Sequence, residues 1–241
     1  MNKKKLLIVG NRGRLQGFLC TALANDFELD FSGCGDSVSD SCIQEYDLIL
    51  YSGGEVRNPD VFMNENFHAP YLLFLRASKL NIRFVFFSSL ASLYYIDVLR
   101  FDSMKGTDYR LYAESKYLCD QAINSHENHN ACSLKLASIN HPVRISSSYQ
   151  KYLSSSKAAK VAMQILGTYI SYCTYHDILM AVTKALNDSS QRSITVSTSL
   201  MFWGRLGKCF RPLLRINIRK VPRHYYTRLY FVTMPNLCSK Y

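Results

Sequence analysis

The stretch Leu6-Leu7-Ile8-Val9-Gly10-Asn11-Arg12-Gly13, near the start of this 241-residue chain, joins a short apolar run to a glycine-containing turn. The apolar run predicts a buried parallel strand, and apolar residues at helical spacing over residues 18–23 predict a helix after the turn. In such a strand–turn–helix unit, glycines let the backbone approach a dinucleotide pyrophosphate at the helix N-terminus. The glycine spacing is imperfect, because Gln16 stands where a third glycine would fall.

The pattern of strand followed by helix continues along the chain. Apolar runs predict further strands at residues 27–31, 46–51, 84–87 and 132–139, and the periodicity predicts helices at residues 64–80 and 109–125. Strands that alternate with helices in this way are typical of a doubly wound parallel sheet.

Three polar or glycine-containing turns follow predicted strands. They contain Gly10 and Gly13, Ser52-Gly53-Gly54, and Ser88-Ser89. Since ligands of open parallel sheets bind beyond the carboxyl ends of the strands, we expect the three turns to converge on one crevice.

Tyr112 and Lys116 lie four residues apart on the predicted helix at 109–125, and therefore on one face of it. A nearby ammonium favours the phenolate, so it lowers the pKa of the tyrosine from about 10. A phenol tuned in this way is suited to general acid or base catalysis at a hydroxyl or carbonyl group. An isolated pair at this spacing is more often part of a solvated helix face, so the motif gains its meaning from the motifs around it.

The ordered set of motifs resembles the extended short-chain dehydrogenase/reductase family, in particular its nucleotide-sugar epimerases, dehydratases and reductases. The resemblance covers roughly residues 3–186. The matching segments are Leu6-Leu7-Ile8-Val9-Gly10-Asn11-Arg12-Gly13, Gly35-Asp36, Asp47-Leu48-Ile49-Leu50, Arg83-Phe84-Val85-Phe86-Phe87-Ser88-Ser89, Tyr112-Ala113-Glu114-Ser115-Lys116, residues 134–142 and Tyr175-His176-Asp177.

The resemblance implies an α/β fold: a Rossmann-like doubly wound parallel sheet with a small C-terminal substrate lobe. Residues 1–145 would form the NAD(P)-binding domain. Residues 146–241 would form the lobe, interleaved with the sheet, and would end in a basic tail.

The resemblance also implies the catalytic roles. Tyr112 would move the proton at the reacting oxygen, and Lys116 would lower the pKa of Tyr112 and bind the nicotinamide ribose. Ser89, together with Ser88, would hydrogen-bond the substrate hydroxyl or carbonyl. An alignment shifted by one residue places Leu90 at this serine position instead.

Cofactor contacts follow from the same resemblance. Arg12 would meet a 2′-phosphate, which favours NADP over NAD, and no metal is expected. The other predicted contacts are the pyrophosphate loop at Gly10, Gly13 and Leu15, the adenine at Asp36, the second loop at Ser52 and Gly53, the ribose at Lys116, and the nicotinamide end at Ala137 and Ile139.

The predicted activity is NAD(P)-dependent epimerisation or reduction of a nucleotide-sugar or lipid-linked sugar in surface polysaccharide biosynthesis. The alternative is a non-catalytic dinucleotide-binding regulator or partner subunit with an eroded site, which the displaced glycine favours. Retention of both Tyr112 and Lys116 favours the enzyme, because binding alone does not require that pair.

The net charge of +11 is concentrated at the C-terminus, where ten basic and no acidic residues follow Asp188. Between residues 205 and 228 they alternate with apolar and aromatic residues, which is typical of a solvated basic face or of contact with an anionic membrane surface. No nucleic acid is expected, since no recognised binding module accompanies the charge. We predict a cytoplasmic protein, and contact of the tail with the inner face of the membrane stays one of the two alternatives. The family resemblance implies a homodimer formed through the helix of Tyr112.

Two smaller groups of residues receive structural interpretations. The eight cysteines show neither Cys-x-x-Cys pairs nor zinc spacing, which indicates free thiols. His176 and Asp177 precede an apolar helical pattern, and a capping role is favoured over catalysis because Asp is a good helix-capping residue.

Overall fold

The computed structural model describes residues 3–10, 13–33, 40–93, 95, 107–127, 130–140, 156 and 171–199. They form a six-stranded sheet, covered by helices on both faces, and a second sheet of three short strands. The predicted α/β fold, a doubly wound parallel sheet, is confirmed.

The strands of the main sheet are β1 (Lys4–Val9), β2 (Phe27–Ser32), β3 (Leu48–Tyr51), β4 (Arg83–Ser89), β5 (Ala131–Leu136) and β8 (Ser193–Val196). The short strands are β6 (Ser138–Asn140), β7 (Ser171–Thr174) and β9 (Thr198–Ser199). The helices are α1 (Arg14–Leu23), α2 (Asp40–Ile43), α3 (Ala69–Lys79), α4 (Leu90–Leu93), α5 (Thr107–Asn124) and α6 (Tyr175–Asn187), with a 3₁₀ turn at Pro59–Val61 and a π-helical turn at Asn64–His68.

The strand order of the main sheet is β2-β1-β3-β4-β5-β8, and every pairing is parallel. The chain moves outward from β1 to β2 and then returns to β3 on the other side of β1. Ligands of open parallel sheets bind at such a reversal, beyond the carboxyl ends of the strands. Here those ends are neighbours, since Val9 pairs with Tyr51.

Each face of the sheet packs against its own helices. Leu6 and Ile8 of β1 lie in a cluster with residues of α1 and α6, whereas Leu7 and Val9 lie in a cluster with residues of α3 and α5. Successive strand residues point to opposite faces. Both faces of β1 are therefore buried, which explains why its sequence is a continuous apolar run.

The helix predicted at residues 64–80 begins with a π-helical turn before α3. The Ala69 N–H bonds to the Asn64 carbonyl, five residues back, and Pro70 brings no N–H to the next position. A π turn of this kind is frequent at functional sites. Asn66 lies within this turn and is 1% exposed.

Asp177 takes part in the helix cap, as predicted, but the N-cap itself is Thr174 and not the pair His176-Asp177. Thr174 is the N-cap of α6, and its hydroxyl accepts a bond from the Asp177 N–H at 3.2 Å. In return, the Asp177 carboxylate accepts from the Thr174 N–H at 2.8 Å. The two residues form a capping box, and His176 is exposed beside them.

Several predictions concern residues outside the described ranges. These include Arg12, Asp36, the basic stretch 205–228 and most of the lobe at 146–241, so the domain division, the membrane contact and the dimer stay predictions. Within the described ranges, no helix combines the length and apolar character needed to cross a membrane. The described cysteines carry free thiols: Cys20, Cys42, Cys119, Cys132 and Cys173.

Candidate active site

The loops that follow β1 and β3 are joined directly by Ser52. Its N–H donates to the Val9 carbonyl at 2.8 Å, and its hydroxyl donates to the same carbonyl at 3.3 Å. The loop that was predicted to bind a pyrophosphate therefore lies against the loop after β3, as the sequence led us to expect.

Gly13 starts helix α1 at this edge of the sheet. It is the N-cap, with an extended backbone (φ −119°, ψ 174°), and the first turn of the helix contains no acidic residue. The first N–H groups of a helix, here those of Arg14 and Leu15, have no intrahelical acceptor, and the helix dipole favours a negative charge beside them. The electrostatics of this turn suit an anion such as a pyrophosphate.

Gln16 fills the space above Gly10. Its Oε1 accepts from the Gly13 N–H at 2.9 Å, and its Nε2 donates to the Ser52 hydroxyl at 3.0 Å. A Cβ on Gly10 would lie 2.0 Å from Nε2 and 3.0 Å from the Gly53 nitrogen, so only glycine fits at this position.

The loop after β3 reaches the side chain of Lys116. Gly54 has φ +143°, and a Cβ there would lie 2.8 Å from Lys116 Nζ and 2.7 Å from Asn66 Oδ1. The Lys116 ammonium is buried and donates to the Phe87 carbonyl in β4 at 3.2 Å. Lys116 therefore lies where β3 and β4 end, beside the predicted cofactor loops.

Tyr112, one helical turn before Lys116, forms a hydrogen bond with Ser89 at the end of β4. The ring of Tyr112 packs edge-on against Phe62, with 5.7 Å between the ring centroids. The structure thus brings together the phenol that the resemblance assigned to proton transfer and the hydroxyl that it assigned to hydrogen-bonding the substrate.

The pKa of Tyr112 is shifted in the direction opposite to the predicted one. Burial disfavours the charged phenolate and raises the pKa, and the hydrogen bond from Ser89 acts in the lowering direction but is the smaller effect. The prediction that Lys116 lowers this pKa is therefore wrong for the structure described, because desolvation of the phenol dominates.

Ser88 and Leu90 point away from the phenol. The Ser88 hydroxyl donates to the Asp120 carboxylate at 2.9 Å and is 4% exposed. Leu90 is buried in the apolar cluster under α1 and α6. Ser89 is therefore the residue of this segment that reaches Tyr112, and Ser88 takes part in a separate buried network.

The residues predicted to contact the nicotinamide, Ala137 and Ile139, lie between β5 and β6 and within β6, respectively. Ala137 is buried, and its N–H donates to the Val196 carbonyl at 3.0 Å. Ile139 in β6 is 37% exposed. The structure describes no contact between either residue and Tyr112 or Lys116, so their assignment to the cofactor stays a prediction.

Asn66 is a site residue that the sequence reasoning missed. Its amide accepts from the Glu55 N–H and donates to the Glu55 carbonyl, both at 2.9 Å, and it also donates to Ser115 at 3.3 Å. It thereby fixes the loop beside Lys116 to helix α5. The available signal was a pair of amides, Asn64 and Asn66, at the start of a helix that is otherwise apolar on one side.

Gln16 and Asp120 were also missed. Gln16 stands three residues after Gly13, the spacing at which a Gln side chain reaches back to the N-cap N–H. Asp120 stands four residues after Lys116 and therefore on the same helix face. Both spacings can be seen in the sequence, but they do not predict that Gln16 bonds to Ser52 or that Asp120 pairs with Lys135.

The described residues fit a dinucleotide at these strand ends. Gly10 and Gly54 let two loops approach closely, the first turn of α1 offers N–H donors, and the Lys116 ammonium lies against Gly54 and the Phe87 carbonyl. Donors of this kind suit a pyrophosphate at α1 and ribose hydroxyls at Lys116.

No family model matches the sequence, and no curated protein matches it either. Solved structures do match in fold. ADP-L-glycero-D-manno-heptose-6-epimerase from Helicobacter pylori is 14% identical, with a TM-score of 0.57, over 88% of this chain and 83% of that one. dTDP-4-dehydrorhamnose reductase from Bacillus anthracis, solved with NADP, is 12% identical, with a TM-score of 0.60, over 88% and 81% of the two chains.

A third match is UDP-N-acetylglucosamine 4-epimerase from Methanobrevibacter ruminantium, 16% identical, with a TM-score of 0.59, over 90% of this chain and 84% of that one. The fold of this chain is thus a Rossmann-like α/β fold. More particularly, it is the fold of the extended short-chain dehydrogenases/reductases, as the sequence resemblance predicted.

Proposed function

We propose that this protein is an NAD(P)-dependent oxidoreductase or epimerase of the short-chain dehydrogenase type that acts on a nucleotide-linked sugar. The observation that carries the proposal is the hydrogen bond between Tyr112 and Ser89, one helical turn before the buried Lys116. These groups lie at the strand ends where the glycine-containing loops meet. A protein that only bound a dinucleotide would not need this arrangement.

The side chains divide the chemistry between them. A bound nicotinamide would exchange a hydride with a carbon of the sugar. Ser89 holds the sugar oxygen, Tyr112 gives or takes its proton, and Lys116 orients the ribose through its ammonium. A protonated phenol, which the raised pKa of Tyr112 maintains, is the form that donates a proton to a developing alkoxide during reduction.

The residues at the end of β2 support NADP as the preferred cofactor. The adenosine ribose of NAD is usually held by a carboxylate near this strand end. Asp30 lies inside β2, and its carboxylate accepts a bond from the Tyr46 hydroxyl at 3.0 Å. Ser32 and Gly33 end the strand without a carboxylate, and Arg12 provides the positive charge for a 2′-phosphate.

The proteins of similar fold support this substrate class, since they are epimerases and reductases of nucleotide-linked sugars. A lipid-linked sugar and a role in surface polysaccharide biosynthesis extend the same proposal. Reduction ends with the transferred hydride on the sugar. In epimerisation the keto intermediate rotates in the site, and the hydride then returns to the opposite face of the sugar carbon.

A non-catalytic dinucleotide-binding protein is the second candidate, and Gln16 at the third-glycine position favours it. That reading leaves the Tyr112–Ser89 pair without a purpose, whereas Lys116 would serve a dinucleotide in either case. The pair of hydroxyls therefore favours the enzyme.

Calorimetric titration of the full chain with NADPH and with NADH tests the proposal, on the wild type, on Lys116→Ala and on Lys79→Ala as a matched control. Lys79 is exposed at the far end of α3. We expect NADPH to bind more tightly than NADH, Lys116→Ala to weaken binding by about tenfold or more, and Lys79→Ala to bind as the wild type does.

Absence of binding of either dinucleotide to the wild type would reject the enzyme and the second candidate together. Binding that is unchanged in Lys116→Ala would reject the assignment of the ribose to Lys116. Turnover is then assayed with a panel of nucleotide sugars by following NADPH absorbance, and by the change of sugar stereochemistry where no net reduction occurs.

A further inference from the structure

Gln16 departs from the glycine pattern, yet its side chain is 5% exposed and both ends of its amide are bonded. Oε1 accepts from the Gly13 N–H after β1, and Nε2 donates to the Ser52 hydroxyl after β3. An eroded position would be expected to lose its partners, whereas this amide joins two loops.

The local geometry explains how a long side chain fits here. Side chains on a helix point back toward its N-terminus, so an amide at the third helical position reaches the N-cap. The missing Cβ of Gly10 leaves the room, since a methyl there would lie 2.0 Å from Nε2 and 2.8 Å from the Ser52 hydroxyl. The pair of Gly10 and Gln16 occupies the space that a third glycine would leave for close helix–strand packing.

We propose that Gln16 is a positioning residue for dinucleotide binding. Its amide holds the loop of Gly13 and the loop of Ser52 in one arrangement before the ligand arrives, which reduces the ordering that binding would otherwise require. The inference rests on the proposed function, because it assigns the two loops to the pyrophosphate. Gln16 replaces the third glycine in role and does not obstruct the site.

The experiment measures NADPH affinity of the full chain by calorimetry for four variants. Gln16→Met keeps the length of the side chain without its hydrogen bonds, Gln16→Gly restores the third glycine, and Ser52→Ala removes the second partner. Gln121→Met is the matched control on the exposed face of α5. We expect both Gln16 variants to bind about tenfold more weakly and Gln121→Met to bind as the wild type does.

Two readouts separate positioning from a general loss of structure. The double variant Gln16→Met/Ser52→Ala loses less NADPH affinity than the two single losses combined, because both changes break the same link. Adenosine 2′-monophosphate lacks the pyrophosphate, and its affinity is measured by competition with NADPH. We expect it to bind Gln16→Met as tightly as it binds the wild type. A damaged fold would weaken both ligands equally, and that outcome would overturn the inference.

Tighter NADPH binding by Gln16→Gly than by the wild type would also overturn it, since Gln16 would then be an obstruction. Unchanged binding in every Gln16 variant rejects the inference and leaves the proposed function standing. A wild type that binds neither NADPH nor NADH rejects the proposed function, and the inference falls with it.

Discussion

Tyr112 is held between the ring of Phe62 and the hydroxyl of Ser89, on the face of α5 that packs against the end of β4. Removal of water from the phenol is the largest influence on its pKa and raises it. At neutral pH the side chain is therefore a hydrogen-bond donor, which suits the reducing direction of the proposed reaction.

This raised pKa links Tyr112 to stability at high pH. The unfolded phenol ionises near the ordinary tyrosine pKa of 10.0, while the folded state keeps its proton. The stabilisation is therefore fully present below pH 10 and is lost as the pH rises through the folded pKa. We expect the free energy of unfolding of Tyr112→Phe to fall less steeply above pH 10 than that of the wild type, as measured by urea unfolding between pH 8 and about pH 11.

The same variant separates chemistry from binding. Tyr112→Phe should lose turnover and keep NADPH affinity within about twofold, because the phenol oxygen serves the substrate and not the pyrophosphate. If the free energy of unfolding falls equally steeply above pH 10 in the wild type and in Tyr112→Phe, the pKa argument is wrong, whatever the activity of the variant.

Gly54 and Gly17 form a matched pair of glycines. An alanine at Gly54 would have to adopt φ +143° and would meet Lys116 Nζ and Asn66 Oδ1 within 3 Å. Gly17 lies inside α1 and has open space around it. In urea unfolding experiments, we expect Gly54→Ala to lower the free energy of unfolding by about 1–3 kcal/mol and Gly17→Ala to raise the free energy of unfolding by about 0.5–1 kcal/mol. Gly54→Ala should also weaken NADPH binding.

Of the individual site residues, the sequence predicted Tyr112, Lys116 and Ser89 because their order and spacing carry the signal. It did not predict the different directions of Ser88 and Ser89, since these depend on which side chain of the strand end faces α5. Asn66 and Gln16 act through partners elsewhere in the sequence, Glu55 and Ser52, and local periodicity contains no information on such contacts.

Among the elements, α6 owes its ending to a side chain from a distant strand. Arg83, the first residue of β4, is 5% exposed and donates to four carbonyls at or just beyond the end of α6. The acceptors and distances are Ala185 at 3.0 Å, Asp188 at 2.9 Å, Ser189 at 3.3 Å and Gln191 at 2.7 Å. The guanidinium thereby satisfies carbonyls that a helix end leaves open.

We expect Arg83→Met to lower the free energy of unfolding by about 2–4 kcal/mol, because it removes four hydrogen bonds, of which the bond to the Ala185 carbonyl is buried and the others are partly buried. Arg192→Met, on an exposed side chain of the following loop, should change it by less than about 0.5 kcal/mol. Chemical denaturation of both variants makes the comparison, and equal effects would show that Arg83 contributes no more than a surface residue.

Element boundaries were largely predictable, because the strands of a parallel sheet are continuous apolar runs and the helices show one apolar side. The π turn at Asn64–His68 was not. Its amphipathic pattern is that of an ordinary helix start, and only the bond from Ala69 to Asn64 distinguishes it.

At the scale of the whole molecule, one buried ion pair connects α5 to the distal half of the sheet. Lys135 Nζ lies 3.7 Å from the Asp120 carboxylate and donates to the hydroxyls of Ser133 and Ser193 at 3.1 and 2.8 Å. The same carboxylate accepts from Ser88 and, through a short bond, from Ser92. Helix α5, α4, β4, β5 and β8 thus share one polar network behind the site.

Removal of one partner of this pair leaves the other charge buried. We expect Asp120→Leu and Lys135→Met each to lower the free energy of unfolding by about 3–5 kcal/mol, and the double variant to lose less than the sum of the two. Denaturant titration of the three variants checks this double-mutant cycle. Additive losses would mean that the charges do not interact.

The fold class could be predicted for the whole described region, because alternating strands and helices with turns at the strand ends admit few topologies. The pairing of β8 with β5 could not. Nothing in the sequence of residues 193–196 specifies which strand they join.

The bonds of Arg83 also bear on how fast the protein folds and unfolds. They join residues between 102 and 108 positions apart, and contacts with such separation carry a large loop-closure cost, so we expect them to form late in folding. Arg83 should therefore act after the rate-limiting step of folding. Its loss should accelerate unfolding and leave the refolding rate almost unchanged, so that Arg83 governs how long the native protein persists.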